Sequence, residues 1–211
     1  QMSELEQGES LFSVQGAVDS TKISDAVIKD TLESLNTIRE IQEANGVHAC
    51  HRYIISNCRG AIDVARLYAL CRFCGWNTQD FTLDFVPLFE TISDLRQAEA
   101  SMRILYESSC YREHLSQRSN KQTVMLGFSD GTKDGGYLMA NWAIYAAKES
   151  LTRISRQFHI EVCFFDGRGG PPARGGGSTY KFYSSLGKNI EANQIQLTVQ
   201  GQTISSYYGT E

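Results

Sequence analysis

The residues best suited to chemistry fall in three short stretches. The first is Glu90, which ends an apolar run beginning near Asp84. The second is Ser129-Asp130-Gly131-Thr132-Lys133-Asp134, again directly after an apolar run. The third runs from Asp166 through Arg168, Gly169, Gly170, Arg174, Gly175 and Gly176 to Gly177, and glycine fills six of the eleven positions from 167 to 177. So many glycines are costly in backbone entropy, so packing alone explains them poorly. Without side chains, backbone N–H groups can approach an anion closely, and a helix expected from about Gly177 would point its positive end there. Arg168 and Arg174 add planar guanidinium forks that match phosphate or carboxylate. Glu90 and Asp130 together suit a hard divalent cation, since Mg²⁺ is held by one or two carboxylates with waters and substrate oxygens. Lys133 is placed to neutralise charge developing on the same substrate.

Each group also has a plainer explanation. A carboxylate at a strand end is often a helix cap, and a glycine-rich stretch can be an ordinary surface loop. An RNA-binding Arg-Gly-Gly segment calls for a disordered basic tail, whereas this loop lies between strands of an acidic chain. Other motifs fail on spacing. Asp130 to Asn141 opens like a calcium loop, but Thr132 fills an acidic slot and Asn141 stands where the bidentate Glu belongs. A dinucleotide fingerprint from Gly167 is broken by Pro172. Cys71 and Cys74 form a CxxC on a predicted helix without a second pair, and read as core-facing. His48, His51, His114 and His159 form no ligand pair and read as structural or exposed.

The elements that must position these groups are legible. Five buried strands are predicted, at His51 to Ser56, Asp84 to Glu90, Thr123 to Ser129, Ile160 to Phe165 and Ile195 to Gln200. Most are continuous apolar runs, the pattern of parallel strands covered on both faces. Their centres lie roughly 30 to 40 residues apart, room for one crossover helix each. Pro87 implies a bulge or an early end to pairing in the second strand. Met139, Ala143, Ala147, Leu151, Ile154 and Phe158 make one apolar stripe over Asp134 to Phe158. A helix from Thr91 carries Leu95, Ala98, Met102 and Leu105, with Thr91 and Asp94 in capping-box spacing. Gly60 to Cys74 forms a third helix with Gly75 placed to end it. An opening helix spans about Ile23 to Ala44, and residues 1–22 read as loop or poorly ordered. The class is α/β in one domain over 1–211, either an open doubly wound sheet or part of a (β/α)8 barrel.

Bulk properties narrow the function classes. The 211 residues are 41% hydrophobic and 21% charged with three prolines, an ordinary globular composition. A net charge of −4 gives no general attraction for nucleic acid or an anionic membrane, so anion binding must be local. No apolar run approaches the roughly 20 residues that cross a bilayer. The six cysteines do not read as a disulfide scaffold, and a reducing cytoplasm is the simpler expectation.

At these same residues the sequence resembles the phosphoenolpyruvate carboxylase family. The stretches that carry the resemblance are Pro87-Leu-Phe-Glu-Thr-Ile-Ser-Asp-Leu95, Val124-Met-Leu-Gly-Phe-Ser-Asp-Gly-Thr-Lys-Asp-Gly-Gly136, Gly167-Arg-Gly-Gly170 through Arg174-Gly-Gly-Gly177, and Leu197-Thr-Val-Gln-Gly201. They stand in the family's order, and the resemblance runs from about residue 40 to the C-terminus. It implies a partial (β/α)8 barrel of about five parallel strands, with Glu90 and Asp130 as ligands of Mg²⁺ or Mn²⁺. It implies Lys133 as a basic active-site residue and Arg168 as the arginine holding the substrate phosphate. Arg174, with Gly169, Gly170, Gly175 and Gly176, matches the glycine-rich loop linked to catalysis and, in many members, to inhibition by aspartate. The implied reaction joins phosphoenolpyruvate and bicarbonate into oxaloacetate and phosphate, an anaplerotic carbon fixation in a cytoplasmic homo-oligomer.

Against the family's pattern, Asp166 stands where a histidine is usual, Gly131 replaces a serine and Phe128 a tyrosine. The Thr-Ala-His-Pro-Thr-Glu segment carrying the family's catalytic histidine is not in this sequence. The chain is therefore expected to be a fragment of the catalytic barrel, inactive alone. The competing expectation is a non-catalytic metal- and anion-binding module derived from the same family.

Overall fold

A computed structural model describes residues 3–79, 81–168, 178–199, 201 and 204–205. Five strands form: β1 Arg52–Ile55, β2 Asp84–Phe89, β3 Lys121–Gly127, β4 Glu161–Gly167 and β5 Ile195–Leu197. All neighbours pair in parallel, and their order across the sheet is their order along the chain. A doubly wound sheet reverses strand order at a switch point. This one does not reverse, so the barrel arc is the architecture observed.

The sheet curls as an arc must. With strands about 4.8 Å apart, a flat five-stranded sheet would hold β1 and β5 roughly 19 Å from each other. Yet with its amide oxygen turned toward β1, Gln196 of β5 accepts from Arg52 Nη1 at 3.2 Å and Nη2 at 2.9 Å. The two outer strands therefore face each other across a concave side. Pro87 divides the pairing of β2. Register with β1 runs from Asp84 to Pro87, while register with β3 covers only Leu88 and Phe89. A residue without an N–H cannot serve a ladder on its donor side, and here it marks the changeover between neighbours.

The convex side is covered by helices α1 Glu4–Phe12, α2 Ala26–Asn45, α3 Ala61–Phe73, α4 Ile92–Glu107, α5 Ser109–Gln117 and α6 Ser129–Gln157, with a short α7 at Thr179–Ser184. Phe85, Phe89, Val124, Leu126, Val162 and Phe164 of the strands form one core with Leu95, Met102, Ile144 and Leu151 of the helices.

Several local expectations are corrected. Residues 4–12, within the stretch read as loop, form α1. Ser3 caps it in a capping box with Glu6, and Phe12 packs on Tyr68 at 5.1 Å between ring centroids. Helix α5 occupies a stretch for which no element was predicted. Helix α6 begins at Ser129 rather than Asp134, because a first turn is joined to the main helix across Gly136 (φ 77°, ψ 167°). Met139 of the predicted stripe is exposed, whereas Ala143, Ala147, Leu151 and Ile154 are buried. The helix expected from about Gly177 starts at Thr179, capped by Ser178, and is only six residues long.

Candidate active-site rim

The chain leaves β2 at Glu90 and turns directly into α4. Thr91 is the N-cap, its hydroxyl accepting from Asp94 N at 3.1 Å while Asp94 accepts from Thr91 N at 3.0 Å. On the adjacent strand, Gly127 lets β3 end against Glu90, since a Cβ there would lie 3.2 Å from the Glu90 Cα. The first turn of α6 then brings Asp130 and Lys133 alongside. Asp134 ties that turn to α4 by accepting from Ile92 N at 3.0 Å. Local capping thus links the ends of two neighbouring strands.

The electrostatics of this corner are specific. Burial lifts the Glu90 carboxyl above its ordinary value, the negative charge of Asp130 lifts it further, and the N–H of Asn57 donates to it and opposes the rise. A half-buried carboxylate with a second carboxylate beside it is a donor set suited to a hard divalent cation. Among the described residues no group of three or more histidine, cysteine or acidic side chains gathers. Lys133 Nζ lies 2.8 Å from Asp130 Oδ1, both exposed. An ion pair that open to solvent holds its partners weakly, leaving the ammonium available to a ligand.

β4 ends differently from β2 and β3. Asp166 is 0% exposed and turned away from the concave side, its Oδ2 taking Lys148 Nζ at 2.7 Å and the Tyr183 hydroxyl at 2.6 Å. Lys148 comes from the buried face of α6, and burial lowers its pKa while Asp166 opposes that. Arg168, just past the strand, is 6% exposed, with its guanidinium carbon 3.7 Å from the ring centre of Phe182 and 5.3 Å from that of Phe128. Arg168 Nη1 and Asp166 Oδ1 are buried with no hydrogen-bond partner among the described residues.

Of the residues singled out in the sequence, the structure therefore joins Glu90, Asp130 and Lys133, and sets Arg168 and Asp166 in the layer between β4 and α7. Gly169, Gly170, Arg174, Gly175 and Gly176 lie outside the described residues. Lys148 and Tyr183 were missed. Lys148 carried a signal, since it falls four residues after Ile144 and three before Leu151, on the apolar face of its helix.

A curled, sequentially ordered parallel sheet with its polar groups at the strand C-termini is an α/β protein of the barrel kind. The model of the family described as Phosphoenolpyruvate carboxylase matches residues 2–211. Among curated proteins, the phosphoenolpyruvate carboxylase of Corynebacterium diphtheriae is 39% identical over 191 residues, 89% of this chain and 21% of that protein. That of Gloeobacter violaceus is 35% identical over 183 residues, 85% of this chain and 20% of its own length. That of Corynebacterium glutamicum reaches 44% over 128 residues. The chain belongs to the phosphoenolpyruvate carboxylase family, and it spans about a fifth of the length of these first two relatives.

Proposed function

We propose that the protein to which this chain belongs carboxylates phosphoenolpyruvate with bicarbonate, giving oxaloacetate and phosphate, and that this chain supplies the corner holding the phosphate and a divalent cation. The observation that carries the reading is the meeting of Glu90 and Asp130 at adjacent strand ends, on a chain of this family. Glu90 and Asp130 are the ligands proposed for Mg²⁺ or Mn²⁺, which when bound supplies positive charge beside the substrate oxygens. Arg168 presents guanidinium donors to the phosphate oxygens, and Lys133 exchanges Asp130 for the charge that develops on the substrate. Arg174 and the surrounding glycines take the remaining oxyanion contacts by resemblance. Bicarbonate attacks the phosphorus, releasing the enolate of pyruvate, and carbon dioxide from the resulting carboxyphosphate is captured at the enolate carbon.

We assign aspartate inhibition, homo-oligomeric assembly and a cytoplasmic setting to the whole protein on the same resemblance. With about a fifth of a relative's length, the chain alone is expected to produce no oxaloacetate. The test is calorimetric titration of phosphoenolpyruvate into the chain with Mn²⁺, alongside Arg168→Ala and Glu90→Ala. Metal-dependent binding that both substitutions abolish supports the reading. An absence of binding in the parent chain would overturn the claim that the corner is assembled within these residues.

A further inference from the structure

Lys148 is the most deeply buried cation among the described residues, with 1% of its side chain exposed. Besides Asp166, three aromatic rings flank it: its ammonium lies 5.1, 5.3 and 5.5 Å from the ring centres of Phe164, Phe182 and Tyr183. Arg168 stands two residues beyond Asp166, and side chains so spaced along a strand share a face. Its guanidinium stacks on the same Phe182 ring. Consecutive residues of α7 are thus gripped from the end of β4, Phe182 by Arg168 just past the strand and Tyr183 by Asp166 within it. Two cations sharing one ring repel each other, and Asp166 is the carboxylate that bears on both.

We propose that Lys148 is a positioning residue: by holding Asp166 Oδ2 beneath Tyr183, it fixes the anion that keeps the Arg168 guanidinium in place at the end of β4. The importance of that place rests on reading Arg168 as a phosphate ligand, but the placement itself can be tested without a ligand. Because the two charges are buried against each other at 2.7 Å, Lys148 and Asp166 act as one unit, and neither is exchangeable alone.

A buried ion pair can often be replaced by neutral groups of similar shape without loss of stability, whereas removing one partner is damaging. That asymmetry separates a positioning role from a purely structural one. The experiment compares the 211-residue chain with Lys148→Met, the double variant Lys148→Met with Asp166→Asn, and Tyr183→Phe. Thermal melting is followed together with the Arg168 Nε–H resonance in ¹⁵N-correlated spectra, assigned by its absence in Arg168→Ala. The parent is expected to show a resolved, slowly exchanging resonance. Lys148→Met lowers the melting temperature, and the double variant recovers it yet loses the resonance. Tyr183→Phe, which leaves the ion pair intact, keeps it.

The proposal is overturned by an averaged Arg168 resonance in the parent, or by a resolved one that persists in the double variant. It is equally overturned if Tyr183→Phe abolishes the resonance. The calorimetric titration of the parent chain is read separately, so failure to bind phosphoenolpyruvate would sink the functional reading while the resonance still decides the role of Lys148.

Discussion

His114 is held in a cage of rings, its centroid 5.1 Å from Phe85, 5.4 Å from Phe81, 5.7 Å from Tyr111 and 6.1 Å from Tyr68. Burial drives its pKa down to about 3, with Arg118 adding to the fall. In the unfolded chain the imidazole titrates near its ordinary value of 6.5, so between there and about 3 the unfolded state binds a proton that the folded state refuses. Stability is therefore full above about pH 6.5 and falls with acid by up to about 1.4 kcal/mol per pH unit from this group. Urea denaturation at stepped pH should show that slope, and His114→Phe should flatten it. An unchanged slope in the variant would assign the acid sensitivity to other groups. The sequence read this histidine as structural or exposed, and the structure places it deep in the core. Cys71 is likewise buried as a free thiol and Cys74 half-buried, the placement their helical spacing implied.

At the level of elements, the caps do the positioning. Thr91 and Asp94 start α4 immediately after Glu90, so losing the cap loosens a metal-ligand candidate as well as a helix. Thr91→Ala should cost about 1 kcal/mol, read as a lower urea midpoint with unchanged m. Gly136 sits at φ 77° and ψ 167°, a region open in practice to glycine alone. Gly136→Ala should therefore cost about 1–3 kcal/mol, and a neutral result would mean that the joint between the two parts of α6 relaxes freely. This joint was invisible in the hydrophobic pattern, because a periodic stripe reports the helix face and not a break in its backbone. The capping boxes of α1 and α4 were both written in the sequence as Ser3 with Glu6 and Thr91 with Asp94. Only the second was read, since a polar opening segment gave no apolar stripe to draw attention to the first.

At the scale of the molecule, the arc among the described residues leaves β1 and β5 with one unpaired side each, and unpaired parallel strands invite further pairing. Separately, α6 carries a run of exposed apolar side chains, with Leu138 83% and Trp142 65% exposed beside Tyr137. Surfaces of this kind associate. Sedimentation velocity of the isolated chain should show mass rising with concentration, and Leu138→Ser with Trp142→Ser should shift it toward monomer. A parent chain that stays monomeric across the concentration range would refute this.

The sequence by itself determined the strand and helix alternation and the residues at the strand ends, because both depend on neighbours within a turn or a strand length. Tertiary structure alone decided that the sheet curls until Arg52 meets Gln196, and that Asp166 turns from the concave side to Lys148. Those outcomes depend on which side chains lie opposite one another once helices cover the sheet. There, a buried charge must find a partner wherever the packing brings one, and local pattern carries no record of that choice.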